Sequence, residues 1–364
     1  MKILLVIDSM GSGGAQRILV NLINGLTYSG KEIFLFVFNS KSTYFLTEEI
    51  KKKVNLIEIF RKNDGFSLSV LFRLIKLYYS DEFTVFSFQM NGNIYCLMAR
   101  FFMWRTKVIS VELSVTNPAE SKIKRILSNF FLPFASTIYC NSKTQTKYLT
   151  EKLGLKHKVF TVWNGYNIKD FPFKYKKFRG LKTICIIGRV AYPKNGLLLL
   201  NALDLYYKKY QTLPKVKWVG RFDTDPRSVK MQNEMNQFIS SRIYLQKCWD
   251  WSGEIKDIKR VFNTSDVMVL TSRYEGLPNV ICESMLLGCP VIATSVSDNA
   301  YILGRKKERG ILCKPNSPYS LLKALEYLES ISSQKHINMV REAREFAQTN
   351  FDLEVMVKKY LSKV

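Results

Sequence analysis

The chain has 364 residues, and its 55 Lys and Arg against 30 Asp and Glu give a formal charge of +25. A composition of 47% hydrophobic, 13% aromatic and 23% charged residues excludes a disordered chain and allows sizeable cores, and the length favours two domains at about 100–200 residues each. The charge implies an anionic partner: nucleic acid, anionic lipid or a phosphorylated metabolite.

The opening apolar run, residues 3–7 between Lys2 and Asp8, is too short for a signal-peptide core and reads as a buried strand. A glycine turn, Gly11-Ser12-Gly13-Gly14, follows, and residues 15–26 show helical spacing with Ile18, Leu19, Leu22, Ile23 and Leu26 on one face. Further apolar runs at 33–38, 54–59, 85–88, 108–111, 137–140 and 159–162 alternate with helical segments, the pattern of a parallel sheet covered by helices. Residues 171–182, rich in lysine and aromatics and lacking helical period, read as a linker. The alternation then restarts: strands at 183–187, 215–219, 243–245, 267–270 and 291–294, helices at 196–209, 255–263 and 280–287, and a last helix at 352–361. The expected organisation is an α/β chain with a Rossmann-like domain over 1–170, a linker over 171–182 and a second Rossmann-like domain over 183–364. No segment reaches spanning length without a charge, so a soluble or peripheral protein is expected.

The seven cysteines are scattered and never form C-x-x-C, which points to reduced thiols in a cytosolic compartment and to neither a disulfide framework nor a zinc knuckle. His157 and His336, far apart and flanked by lysine or glutamine, offer no His-based metal site or triad and read as surface residues.

Three strand-to-helix junctions could carry chemistry. At Gly13-Gly14-Ala15-Gln16-Arg17 the glycines allow close backbone approach, and a helix start presents free N–H groups to a phosphate. It is not G-x-G-x-x-G, and no acidic residue closes the next strand, so a dinucleotide site is disfavoured and a plain turn stays open. At Gly188-Arg189-Val190-Ala191-Tyr192-Pro193-Lys194 two cations near a strand end can clamp a diphosphate, or can simply face water. At Glu275-Gly276-Leu277-Pro278-Asn279-Val280-Ile281-Cys282-Glu283, Pro278 suits a helix start, which leaves Glu275 in the preceding loop and Glu283 more than one turn inside. Carboxylates there can accept from sugar and ribose hydroxyls while N–H groups around 276–279 meet a diphosphate; alone, Glu283 would read as a half-exposed helix residue.

Together these motifs, with Asn164-Gly165 and Gly310-Ile311-Leu312, resemble the retaining nucleotide-sugar glycosyltransferases of family 4 along nearly the whole chain. That resemblance implies the GT-B architecture, two Rossmann-like domains facing across a cleft, with the C-terminal helix packing back on the N-terminal domain. It implies Arg189 and Lys194 on the leaving diphosphate, Glu283 on the ribose and Glu275 at the donor sugar. The donor set is then Gly14, Gly188, Arg189, Lys194, Glu275, Gly276, Leu277, Pro278, Asn279 and Glu283, with Gly13, Gly14 and Arg17 for acceptor or phosphate. Leu113 stands where relatives commonly have histidine, and Glu112 is the candidate for that role. Ser297-Asp298-Asn299-Ala300 replaces a glycine-rich turn, with Asp298 a candidate helix cap.

The reaction expected from the resemblance is front-face transfer from a UDP-linked hexose or N-acetylhexosamine, with retention, to a hydroxyl of a lipid-linked glycan of bacterial surface polysaccharide. Neither cofactor nor metal is expected, no Asp-x-Asp pair being placed between a strand and the cleft. The basic and apolar segments 121–135 and 95–107 suggest an anionic membrane surface as partner, on the cytoplasmic face of the inner membrane. A UDP-sugar 2-epimerase of the same architecture would want further acid–base groups, against which the scarcity of histidine counts. A non-catalytic nucleic-acid-binding protein would cluster its cations with stacking aromatics, whereas here they spread over both halves, so nucleic acid is not expected.

Overall fold

The computed structural model describes residues 2–11, 13–27, 30–39, 45–59, 65–113 and 122–364. Its chain forms two compact units, one of residues 1–167 with 351–364 and one of residues 168–350.

Among the described residues the first unit has seven strands: β1 (Lys2–Ile7), β2 (Glu32–Val37), β3 (Asn55–Glu58), β4 (Phe83–Phe88), β5 (Lys107–Glu112), β6 (Thr137–Cys140) and β7 (Val159–Thr161). They pair in parallel in the order β3-β2-β1-β4-β5-β6-β7. Parallel pairing requires crossover connections, which place helices on both faces and bury the central strands β1, β4 and β5 along nearly their whole length. In β1, Ile3 to Ile7 are all fully buried. Ile3, Leu5 and Ile7 pack toward the helix Gly14–Thr27, whereas Leu4 and Val6 pack with residues of the helices Leu68–Ser80 and Gln89–Phe102.

The second unit has six parallel strands: β8 (Thr183–Ile187), β9 (Lys215–Val219), β10 (Trp249–Gly253), β11 (Val267–Leu270), β12 (Val291–Thr294) and β13 (Ile311–Cys313). Their order is β10-β9-β8-β11-β12-β13. The strand expected at 243–245 is instead part of the helix Ile243–Cys248, and the pairing strand is β10. A three-residue apolar run carries no period; Leu245 is fully buried, and Tyr244 donates its hydroxyl to Asp204, so tertiary contacts decide the matter.

Two boundaries depart from the sequence reading. Residues 351–364, which the expected bound of 183–364 puts in the second domain, belong to the first unit, as expected of a C-terminal helix that packs back on the N-terminal domain. Leu353, Met356, Val357 and Tyr360 of the helix Leu353–Leu361 join the first core, and Gly165 leaves no room for a side chain beneath it: a Cβ there would lie 2.7 Å from Met356 Cβ and 2.9 Å from Leu353 Cα. The stretch 171–182 is likewise no free linker but part of the second unit. Lys176 pairs with Asp266 at 2.7 Å, Asp266 accepts from the Lys182 and Thr183 amides, and Phe178 stacks on His336. His336 is therefore 2% exposed, not the surface residue expected. All seven cysteines are free thiols, and six are buried.

Candidate active site

In an open parallel sheet, ligands bind beyond the carboxyl ends of the strands where the strand order reverses. In the second unit that point lies between neighbouring β8 and β11. The loop after β8 carries Gly188, Arg189 and Lys194; the loop after β11 carries Ser272 to Pro278. The two most specific sequence motifs thus meet at one place.

Their meeting is fixed by direct bonds. Lys194 Nζ donates to Glu275 Oε1 at 2.5 Å, and Ser272 Oγ donates to the same oxygen at 2.6 Å. Thr271 Oγ1 donates to the Lys194 carbonyl at 2.7 Å, and the Arg273 amide donates to the Pro193 carbonyl at 2.8 Å. The last of these runs from main chain to main chain, so the two loops are tied by backbone as well as by side chains. Glu275 is anchored further at its own backbone, where its amide donates to Ser297 Oγ at 3.2 Å and its carbonyl accepts from the same hydroxyl. The carboxylate is left with Oε2 to offer, and the ammonium of Lys194 has two protons beyond the one it shares.

Two glycines let the loops approach. Gly188 has φ +144°, and the Lys194 side chain lies over it, 3.3 Å from where a Cβ would stand. Gly220, at φ +149°, faces the Gly188 carbonyl so closely that a Cβ would fall 2.1 Å from its oxygen. Arg189, half exposed, pairs with Asp223 beyond β9. Two guanidiniums approach the Tyr192 ring, those of Arg273 at 4.7 Å and Arg227 at 5.0 Å from its centroid.

The helix Asn279–Leu287 begins at the end of the Glu275 loop, with Pro278 in the N-cap position and Gly276 and Leu277 before it. Its first turn supplies amides and a partial positive charge suited to an anion. Glu283 lies one turn in and is 2% exposed, so it is not the half-exposed residue its isolated sequence position suggests. Asp298 takes the N-cap position of the helix Asn299–Leu303 and is fully buried.

The remaining candidates belong to the first unit. Its strand order reverses between β1 and β4. After β1 come Gly13, Gly14 and Arg17, with Ser12 outside the described residues. Gln16 folds over Gly13, donating Nε2 to the Ser9 carbonyl at 3.1 Å. After β4, Asn91 donates to Asp8 at 2.9 Å. Glu112, at the end of β5 and 6% exposed, accepts from Asn93 Nδ2 at 2.6 Å, and Asn93 accepts from Ser87 at 2.5 Å. Sequence reasoning misses Asn91 and Asn93, whose only signal is their place just after a strand.

It also misses Asp223-Thr224-Asp225, an Asp-x-Asp triplet after β9. Asp223 pairs with Arg189, and Asp225 caps the helix Pro226–Ser240, accepting from the amides of Arg227 at 3.1 Å and Ser228 at 3.2 Å. Those bonds to Asp225, with the Ser228 hydroxyl foremost, hold its pKa below the ordinary carboxylate value. Among the described residues no group of three His, Cys, Asp or Glu is disposed to hold a metal ion.

Residues 181–330 match the glycosyl transferases group 1 family. With its two parallel-sheet units the chain shares the GT-B fold of solved glycosyltransferases. It is 26% identical to the GalNAc-alpha-(1->4)-GalNAc-alpha-(1->3)-diNAcBac-PP-undecaprenol alpha-1,4-N-acetyl-D-galactosaminyltransferase of Campylobacter jejuni, over 90% of this chain and 88% of that one. It is 25% identical to the amylovoran biosynthesis glycosyltransferase AmsD of Erwinia amylovora, over 80% of each. In fold it is similar to Anabaena HepE, solved in complex with UDP, with a TM-score of 0.84, 18% identity and coverage of 99% of this chain and 98% of that one.

Proposed function

We propose that this protein transfers a hexose or N-acetylhexosamine from a UDP-sugar, with retention of anomeric configuration and without a metal ion, to a hydroxyl of a lipid-linked glycan in bacterial surface polysaccharide synthesis. The observation that carries the reading is the Lys194–Glu275 pair at the switch point of the second sheet, beside the start of the helix that contains Glu283. Support for donor and acceptor comes from the relatives: the Campylobacter jejuni enzyme is named for a diphospho-undecaprenol glycan, and HepE is solved with UDP and with UDP-glucose.

Lys194, Arg189 and the backbone N–H groups of Gly276, Leu277 and Asn279 would meet the diphosphate, whose negative charge grows as the bond to the sugar breaks. Fixed donors aimed at that charge lower the barrier without reorganising. Glu275 would accept from donor-sugar hydroxyls through Oε2, and Glu283 from the ribose. The acceptor hydroxyl attacks from the face the phosphate leaves and gives its proton to the departing phosphate oxygen. Glu112 is proposed to help orient the donor sugar where relatives use the histidine that Leu113 replaces, and Gly13, Gly14 and Arg17 to receive acceptor or phosphate. No helix among the described residues is long and apolar enough to cross a membrane. The acceptor would be met at an anionic membrane surface, on the cytoplasmic face of the inner membrane.

The test is transfer from radiolabelled sugar nucleotides to a lipid-linked acceptor, comparing the wild type with Lys194→Met. Labelled lipid product, reduced about 10²-fold in the variant, is the expected result. Epimerised nucleotide sugar without transfer would overturn the reading.

A further inference from the structure

The first unit turns an apolar face to solvent that the transfer chemistry does not use. In the helix Lys122–Phe131, Ile123, Ile126, Leu127 and Phe130 are exposed while Ser128 is buried. Their spacing places the four apolar side chains on one stripe, so this helix presents outward the face that a surface helix normally buries. Phe134 and Phe101 continue the stripe, their rings edge-on at 4.8 Å, and Trp104, 73% exposed, extends it.

Beside the stripe is a hollow of 470 Å³ whose lining includes Phe101, Trp104, Phe134, Arg100 and Lys158. Both cations are anchored. Arg100 donates to the Phe134 carbonyl, and Lys158 Nζ donates to the carbonyls of Pro133 at 2.8 Å and Ala135 at 3.2 Å. Guanidinium and ammonium each keep donors beyond these bonds. Among the described residues no carboxylate lines the hollow. Across residues 83–150 the sequence has two acidic residues, Glu112, which is buried, and Glu120, which lies outside the described residues. The hollow sits at the amino edge of the first sheet, since Ser136 precedes β6 and Lys158 precedes β7, whereas the glycine turn and Glu112 lie at its carboxyl edge. It is therefore separate from the candidate residues of that unit.

A second copy of the chain would set these cations against their own kind. An anionic bilayer satisfies both features at once, its phosphates meeting the cations and its acyl boundary the stripe. We infer that this face docks on an anionic phospholipid bilayer, with one lipid phosphate held in the hollow by Arg100 and Lys158 and the stripe from Ile123 to Phe130 set into the acyl boundary. The inference deepens the membrane association proposed above and rests on it.

The test is binding of the full chain to vesicles of phosphatidylcholine with and without phosphatidylglycerol, read by sedimentation and by tryptophan emission. Trp104 reports the contact, because Trp163, Trp218 and Trp249 are buried and Trp251 packs against the last two. Binding should require phosphatidylglycerol and shift the emission to the blue, and Trp104→Phe should remove most of that shift. Ile126→Asp with Phe130→Asp should weaken binding by roughly tenfold or more. Lys158→Gln should weaken it about fivefold, with a matching loss of preference for the anionic lipid. Melting curves identify any variant that fails to fold, and the exposed pair Ile126 and Phe130 serves if Lys158→Gln does. Equal binding by the folded stripe variants, or wild-type binding indifferent to phosphatidylglycerol, overturns the inference. A wild type that transfers sugar to a detergent-dispersed acceptor but ignores both vesicles loses the docking face and keeps the transferase reading. Lipid binding through these residues without transfer to any acceptor has the opposite meaning.

Discussion

Glu275 shares one carboxylate oxygen between Lys194 and Ser272, so its position does not depend on a bound donor. Glu275→Gln keeps an acceptor at that position but loses the charge. Turnover should fall about 10²-fold while donor affinity changes far less, a contrast that comparing kcat with the donor dissociation constant would show; near-normal turnover would remove Glu275 from the reacting sugar. His336 offers a separate test of burial. Desolvation holds its pKa below the ordinary 6.5, against a smaller opposing pull from Asp266. A base with a lowered folded-state pKa is neutral in the folded protein while the unfolded chain takes up a proton, so stability falls as pH drops below about 6.5 and levels off under the folded-state pKa. Urea unfolding at pH 7.5 and 5.5 should show that loss in the wild type, and His336→Leu should show less of it.

Among the elements, the strands of the second sheet depend on how closely their ends can approach. Gly220 at the end of β9 faces the Gly188 carbonyl at a left-handed φ, and the Trp218 indole donates to that same carbonyl at 2.8 Å. Gly220→Ala would force the loop of Arg189 and Lys194 away from β9. We expect a loss of roughly 1–3 kcal/mol in denaturant unfolding together with weaker donor binding, because the strained backbone and the cation loop are one structure. Strands such as 183–187 and 267–270 were legible with their ends because a buried parallel strand is a continuous apolar run bounded by polar residues. The helix Ile243–Cys248 and strand β10 were not, since Trp249 and Trp251 take their places against Trp218, a neighbour that sequence order does not announce.

At the scale of the whole molecule, the chain crosses from the first unit to the second and returns for its last fourteen residues. Tyr360 is 2% exposed, with its ring against Phe86 and Tyr139, and Tyr139 donates its hydroxyl to the carbonyls of Lys359 and Tyr360. Tyr360→Ala removes a large buried ring and should cost about 3–5 kcal/mol. Hydrogen exchange should locate the loss in the amides of β1, β4 and β6, leaving those of β8, β11 and β12 protected as before; loss of protection spread evenly over both units would contradict the division.

The sequence by itself determined two alternating α/β halves, the three strand-to-helix junctions and the residue types in them, because apolar period and glycine placement are local properties of the chain. Tertiary structure alone decided that Lys194 meets Glu275 across 81 positions, that Arg189 is paired with Asp223 and that His336 is enclosed. Each of these depends on which strand lies beside which, and strand order follows from crossover packing over the whole sheet, which no short window of residues encodes.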